Sequence, residues 1–274
     1  MKTILVPIDF SKYSENALKV AAKIANRNGS EIHLLHMLEI PSQMNDAVSS
    51  GAQIPEIILF INKAQEKLQE LTQKEFLKGI KTVHHIKFEG TFNGIISYIA
   101  ENKTDLIVMG SHGISGIEEM LLGSNTEKVI RLSEVPVLVI KKETLDFKGE
   151  HFVFASDFSE EIKKPFQKML NFVEIFNAKL SLVMICTPNS FKTTALAEKI
   201  MNDFVSEFTI DNFSITIYND SNIENGVINF SKKVQADLIG LSTHGRTGLA
   251  HFFTGSISED LVNHTVRPVI TFKI

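Results

Sequence analysis

The 274-residue chain has one cysteine, Cys186, and no tryptophan. A single cysteine cannot form an intrachain disulfide, which suits a reducing compartment, and we therefore expect a cytoplasmic protein. No apolar run approaches the roughly 20 residues that a membrane-spanning helix needs. The opening stretch, MKTILVPIDF, has a short apolar run that ends at Asp9 and is too short for a signal peptide. These absences argue against a membrane partner and a secreted protein.

The chain also lacks an excess of positive charge, since its formal net charge is −4. It has no general attraction for a phosphate backbone, so we do not expect a nucleic-acid partner. The common phosphate motifs G-x-x-x-x-G-K-[ST] and G-x-G-x-x-G do not occur in the sequence. No general base with an orienting carboxylate stands beside a nucleophile, so we predict no catalytic residues and no enzyme. A hydrophobic fraction of 43% indicates a globular protein with ample core.

The main feature of the sequence is an internal repeat. The stretch ILVPIDFSKYSENALKVAAKIA at residues 4–25 matches FVFASDFSEEIKKPFQKMLNFV at residues 152–173, at an offset of 148. A second stretch, DLIVMGSHGISGIEEMLLGSNTEK at residues 105–128, matches DLIGLSTHGRTGLAHFFTGSISED at residues 237–260, at an offset of 132. The first copy must therefore contain about 16 extra residues between its two blocks.

The repeat divides the chain into two domains. We assign the first domain to residues 1–141, a polar linker to residues 142–150 and the second domain to residues 151–274. The extra residues of the first copy fall at residues 41–55, a stretch with serine, proline and glycine that is typical of a loop.

Short apolar runs alternate with helical segments in both copies. In the first copy the runs lie at residues 3–8, 31–38, 83–88, 106–109 and 135–140. This alternation, with strands that are apolar on both faces, predicts α/β domains with a parallel sheet covered by helices on both faces. Five strands per copy fit a doubly wound, Rossmann-like domain with strand order 3-2-1-4-5. Pro165 belongs in the first turn of its helix, so we expect that helix to start late.

In this strand order a crevice lies at the carboxyl ends of strands one and four. The loop after strand one contains Asp9, and the loop after strand four contains Gly110 and Gly113. The two glycines could take positive φ and let backbone N–H groups approach an anion. The segment GSNT at residues 123–126 opens a helix whose N-terminus favours phosphate, and its hydroxyls could add donors. Alternatively, the glycines only form turns and Ser124 caps the helix.

These segments resemble the universal stress protein family over both halves of the chain. The resemblance rests on VPIDFS at residues 6–11, LLHMLE at residues 34–39, DLIVMGSHG at residues 105–113 and GSNTEKVIRLSEVPVLVIK at residues 123–141. Four residues meet the spacing G-x2-G-x9-G-S: Gly110, Gly113, Gly123 and Ser124. Members of the family that hold ATP have this spacing.

The resemblance implies a site for an adenine nucleotide, ATP with or without Mg2+, in one or both halves. In the first half its residues would be Pro7, Asp9, Met37, Gly110, His112, Gly113, Gly123, Ser124, Asn125 and Thr126. In the second half they would be Asp157, Ile185, Ser242, His244, Gly245, Gly255, Ser256, Ile257 and Ser258. Asp9 would face the adenosine, and Met37 would line the adenine pocket.

The two copies depart from the family pattern in different ways. The second copy has Ser242 in place of the first glycine, which puts the close approach of a ligand to the backbone in doubt. The first copy has Glu118 and Glu119 near the expected triphosphate, where they must point outward or share a metal ion. Because backbone clearance is a steric requirement and a charge can be screened, the pattern favours the first copy.

The family resemblance also implies how the halves assemble. The last strands, at residues 135–141 and 267–273, would pair and make an intrachain pseudo-dimer, and a homodimer of whole chains stays open. The leading hypothesis is a stress-response protein that binds ATP and changes unknown regulatory protein partners with its nucleotide state. The alternatives are a slow ATPase or nucleotidyl-transfer enzyme, and a nucleotide-free scaffold or binder of apolar ligands.

Overall fold

The computed structural model describes residues 1–38, 54–112, 122–141, 147–243 and 261–274, and for residues 54–56 it describes the backbone alone. The predicted loop at residues 41–55 and the linker residues 142–146 thus fall mainly or wholly outside the described residues. No helix within the described ranges is both long enough and apolar enough to cross a membrane.

Strands and helices alternate through both halves. The first half contains β1 (Thr3–Pro7), α1 (Lys12–Asn28), β2 (Glu31–Met37), α2 (Ile54–Thr72), β3 (Thr82–Lys87), α3 (Thr91–Glu101), β4 (Leu106–Gly110), α4 (Ser124–Leu132) and β5 (Val137–Ile140). The second half contains β6 (His151–Ala155), α5 (Lys163–Phe176), β7 (Lys179–Cys186), α6 (Thr194–Val205), β8 (Phe213–Asn219), α7 (Ile223–Lys233), β9 (Leu238–Thr243) and β10 (Val269–Lys273).

The ten strands form one continuous sheet in the order β3-β2-β1-β4-β5-β10-β9-β6-β7-β8. Each half therefore has the predicted order 3-2-1-4-5. Neighbouring strands within each half are parallel, and β5 and β10 pair antiparallel with Leu138 opposite Ile270. This confirms the doubly wound fold and the pairing of the halves through their last strands. The domain limits at residues 141 and 151 stay a prediction.

The central strands are buried on both faces, as their continuous apolar sequences predict. Every residue of β1, β4 and β5 is buried. On one face Ile4 and Val6 belong to a cluster with Leu18 of α1, and on the other Leu5 packs in a cluster with Ile95 of α3. Burial on both faces stabilises the parallel strands and holds their carboxyl ends at one edge.

The helices that follow β1 and β6 start differently. α1 begins directly after Ser11, whose hydroxyl accepts the N–H of Ser14. The chain after β6 first makes a 3-10 turn at Glu160–Ile162, and α5 then begins with Pro165 in its first turn. The late start of α5 confirms the expectation from Pro165, because proline lacks the N–H that an interior helical position would use.

A candidate ligand crevice at the strand switch point

A crevice of about 450 Å³ opens where β1 and β4 end. The two strands are neighbours in the sheet, with Ile4 beside Leu106, so the loops that leave them meet at one edge. Its lining residues are Pro7, Ile8, Asp9, Ser14, His36, Met37, Thr91, Met109, Gly110, His112, Gly123, Ser124, Asn125 and Thr126. The fold thus brings together all the site residues predicted for the first half except Gly113, which lies outside the described residues.

Asp9 lies in a tightly held turn between β1 and α1. Its Oδ1 accepts the backbone N–H of Ser11 at 3.0 Å. The next residue, Phe10, has φ of 63°, a left-handed conformation that costs about 1–2 kcal/mol for a residue with a Cβ. Its ring packs 4.6 Å from His36 and lies 5.0 Å below the Lys67 ammonium, and these contacts hold the strained turn in place.

Gly110 is needed for a different reason from the one predicted. The sequence led us to expect positive φ here, but among the described glycines only Gly29, Gly79 and Gly149 have it. A Cβ at Gly110 would instead lie 2.8 Å from the Cβ of Tyr13 and 2.9 Å from its carbonyl carbon. Gly110 therefore lets α1 pack closely against the end of β4, and the positive φ that the sequence allowed at this glycine does not occur.

α4 starts at the crevice without a side-chain cap. Its N-cap is Gly123 and Ser124 is its first helical residue, so the alternative that Ser124 caps the helix is wrong. Ser124 is exposed and Asn125 half-buried, and both line the crevice. The positive end of the helix dipole and the N–H groups of the first turn are therefore available to an anion.

The hydroxyl of Thr126 has a structural role. It is buried and donates to the carbonyl oxygen of Gly110 at 3.1 Å, which ties α4 to the end of β4. The expectation that this hydroxyl would serve as a phosphate donor is thus not met, because its proton is already used. The hydroxyl of Ser124 has no such bond among the described contacts and stays at the crevice surface.

A second helix also begins at this crevice. The sequence did not predict that the start of this helix would lie beside the loops after β1 and β4. α3 starts at Thr91, a lining residue, and its N-cap Gly90 likewise provides no side-chain cap. The Gly-Thr pair before a helical pattern was the available signal. Ile8, Ser14, His36 and Met109 were also missed.

The floor of the crevice beside β2 is apolar. Met37, at the end of β2, packs against α3 so closely that a Cβ at Gly94 would lie 2.9 Å from its Cγ. Because β2 and β4 flank β1 in the sheet, Met37 and the start of α4 lie on opposite sides of Asp9. The crevice can therefore accept a flat apolar group on one side and an anionic group on the other.

The second half repeats the turn after its first strand. Asp157 Oδ1 accepts the N–H of Ser159 at 3.1 Å, and Phe158 has φ of 59°. Ser242, the counterpart of Gly110, is fully buried, and its hydroxyl has no hydrogen-bond partner among the described residues. Ile185, the counterpart of Met37, is 8% exposed.

The other residues predicted for the second half, and three further positions of the first, lie outside the described residues: Gly113, Glu118, Glu119, His244, Gly245, Gly255, Ser256, Ile257 and Ser258.

Comparisons with known proteins relate both halves of the chain to one family. The chain matches the model of the universal stress protein family at residues 1–141 and 212–273. A universal stress protein of Synechocystis sp. is 23% identical, with all of both chains covered. Another, of Methanocaldococcus jannaschii, is 35% identical over 143 residues, which cover 52% of this chain and 82% of the relative.

A solved structure shows the same arrangement of both halves. The crystal structure of a universal stress protein from Archaeoglobus fulgidus aligns with a TM-score of 0.76 at 22% identity, covering 99% of this chain and 98% of the other. At this identity the likeness shows the fold.

Proposed function

This chain belongs to the universal stress protein family, and we propose that it binds ATP in the crevice of its first half and acts as a nucleotide-dependent regulator in the stress response. The observation that carries the proposal is the crevice itself, which places the apolar floor at Met37, the Asp9 carboxylate and the uncapped start of α4 around one space. Its volume of about 450 Å³ lies in the range of small-molecule sites.

The chemistry of each wall suits one part of the nucleotide. Met37 and Ile8 offer apolar surface to the adenine ring, and Asp9 offers an acceptor to a ribose hydroxyl. A carboxylate has about four acceptor positions, so Asp9 can accept more than one hydrogen bond at a time. The first turn of α4 offers N–H donors and the hydroxyl of Ser124 to phosphate oxygens. When magnesium accompanies ATP, it neutralises part of the phosphate charge.

We assign the nucleotide to the first half because of the side chain that would face the adenine. In place of the half-buried Met37 the second half has the buried Ile185, which packs so tightly against α7 that a Cβ at Gly226 would lie 2.5 Å from its Cγ2. A branched, buried side chain adapts less well to an adenine ring than methionine does.

The proposal is tested with a matched pair of variants. Asp9→Ala and Asp157→Ala each remove a carboxylate that accepts a backbone N–H two residues along, so they disturb their turns alike. We expect Asp9→Ala to weaken ATP binding about tenfold or more in titration calorimetry, because a hydrogen bond to a charged group is lost. Asp157→Ala should change the affinity less than about twofold.

The same protein also gives a direct test of the ligand. Protein purified without added nucleotide and then denatured should release adenine nucleotide at one molecule per chain, as identified by mass spectrometry. If it releases none, and ATP with Mg2+ does not raise its melting temperature, the proposal is wrong. A release of two per chain would place nucleotide in both halves.

Two further parts of the proposal concern the cellular location of the protein and whether it hydrolyses ATP. We place it in the cytoplasm, since its lone cysteine suits a reducing compartment. We propose that it senses nucleotide without consuming it, and steady ATP hydrolysis that Asp9→Ala abolishes would contradict this.

A further inference from the structure

The strand β8 forms one edge of the ten-stranded sheet. Within the described residues it pairs with β7 on one side and with no strand on the other. The carbonyl oxygen of Asn212 accepts the N–H of Leu180, and the N–H of Asp220 donates to Cys186. Because alternate residues of a parallel strand bond to the same neighbour, the even-numbered residues bond to β7. The odd-numbered residues direct their N–H and C=O groups out of the sheet: Phe213, Ile215, Ile217 and Asn219.

The two edges of the sheet differ in charge. β3 is the other edge strand, and the repeat makes it the counterpart of β8, with Thr82 and Phe213 at equivalent positions. β3 has His84, His85 and Lys87, whereas β8 has the sequence FSITIYN, without a charged residue or a proline. Charged side chains on an edge strand oppose pairing with another strand, and their absence favours it. The edge at β8 is therefore the one suited to a further strand.

The molecule already contains an example of such edge pairing. Each half is a parallel sheet, and the two sheets join where the edge strands β5 and β10 pair antiparallel. The helices on both faces of the two halves leave room for this junction. Two sheets of this fold can thus continue into one another through antiparallel edge strands.

The sequence of β8 is complementary to itself about Thr216. If two copies of the strand run antiparallel with Thr216 opposite Thr216, Ile215 lies opposite Ile217, and the outer pair is Phe213 with Asn219. All four residues with outward backbone groups then face one another, and each such pair exchanges two hydrogen bonds. Pairs of β-branched side chains and Thr–Thr pairs stabilise antiparallel strands. A register shifted by one residue would lose these bonds.

The same register brings exposed apolar side chains together. Ile215 packs in the cluster that contains Met201 of α6, and side chains alternate along a strand, so Phe213 lies on the face that α6 covers. Phe213 of one copy would lie opposite Asn219 of the other, at the end of the sheet where α6 begins. Phe213 is 39% exposed, and Leu196 in the first turn of α6 is 49% exposed. Association through β8 would therefore cover apolar surface that a single copy leaves in water.

We propose that two copies of this chain associate through their β8 strands, which pair antiparallel with Thr216 on the twofold axis. The two ten-stranded sheets then continue into one another. The contact is limited to one strand and the helix ends beside it, so the interface is small and the association weak, with a dissociation constant of about 10 μM to 1 mM.

A cross-linking experiment tests the register. At a non-hydrogen-bonded antiparallel pair the Cα atoms lie about 4.5 Å apart, within the range of a disulfide, so Thr216→Cys should join two copies when oxidised glutathione is added. Ser214→Cys is the matched control on the same face of the strand, since its two copies would lie about 13 Å apart, beyond that range. The natural Cys186 is buried. No covalent dimer of Thr216→Cys, or an equal amount with Ser214→Cys, would overturn the proposal.

Sedimentation equilibrium tests the association itself. The mean mass of the unchanged protein should rise towards twice the chain mass between about 10 μM and 1 mM. Thr216→Lys places two ammonium groups opposite each other and should weaken the dimer about tenfold or more, whereas His84→Lys, on the edge strand β3, should change it less than about twofold. Melting curves show that both variants fold. An unchanged protein that stays monomeric at about 1 mM, or a Thr216→Lys variant that dimerises equally well, would contradict the proposal.

Discussion

Gly110 and Ser242 occupy equivalent positions at the ends of β4 and β9, and the difference between them follows from the helix that faces each. Tyr13 of α1 lies against Gly110. In the second half a 3-10 turn takes the place of the first turn of the helix, and a buried serine side chain fits. A residue type at the site is here decided by helix packing, and a ligand is not needed to explain it.

Gly110→Ala should destabilise the protein. The new Cβ would meet the backbone and Cβ of Tyr13 at under 3 Å, so α1 or β4 must shift. We expect a loss of about 1–3 kcal/mol in the free energy of unfolding, typical of overpacking, measured by urea denaturation. Ser242→Ala is the control: it removes a buried hydroxyl that has no hydrogen-bond partner in the described part of the chain, and it should be neutral or stabilising. Equal stability of Gly110→Ala and the unchanged protein would contradict this account.

For individual residues of the site, the sequence predicted the positions better than the roles. Asp9 and Ser124 could be found because each follows or opens a regular element that the repeat duplicates. The hydrogen bond of Thr126 to Gly110 could not be found, since it depends on how α4 packs on β4. Thr91 was missed because one Gly-Thr pair is a weak signal without knowledge of which helices begin at the crevice.

The elements themselves were easier to predict, because the apolar runs are strong and the central strands β1, β4 and β5 are buried on both faces. The predicted run at residues 106–109 became β4, which also includes Gly110. Phe147 shows where such prediction stops. A single phenylalanine in a polar stretch has no periodicity, and its burial depends on α1, more than 100 residues away in the sequence.

One pair of strands should respond to pH. At the start of β6, His151 Nε2 lies 2.8 Å from the hydroxyl of Ser181 on β7. Burial, and then the nearby Lys179, lower the pKa of His151 below its ordinary value of 6.5, against smaller opposing effects from Val234 and Asp237. The unfolded chain therefore takes up a proton at higher pH than the folded chain does.

The direction of the pH dependence of stability follows from the lowered pKa of His151. Stability should fall as the pH drops below about 6.5 towards the folded-state pKa, because protonation favours the unfolded chain. Urea unfolding between about pH 7 and pH 5 measures this dependence, and His151→Gln should make it shallower. His84→Gln, at an exposed histidine of β3, serves as the control. An unchanged slope in His151→Gln would show that the neutral imidazole is not what the fold requires.

At the level of the whole molecule, the pairing of β5 with β10 joins the five-stranded sheets of the two halves into one ten-stranded sheet. All four residues of β5 are buried, and Val139 and Leu138 face Val269 and Ile270 of the antiparallel partner. Without this pairing each half would expose an apolar edge strand with unpaired N–H and C=O groups. The pairing also brings α1 against the Phe147 segment and α5 beside the start of the first half's strands.

The first half alone should therefore dimerise. A fragment of residues 1–141 keeps every strand of its own sheet but loses β10, and a second copy of β5 can replace β10 because the pairing is antiparallel and nearly symmetric. Sedimentation equilibrium at about 10–100 μM should give twice the fragment mass, a range in which modest interfaces associate. Adding a fragment of residues 147–274 should convert this dimer into a one-to-one complex, since β10 has the side chains that fit β5. A folded but monomeric fragment would mean that β5 does not need an edge partner, and then the halves are held together mainly by helix contacts such as those of α1 with Phe147.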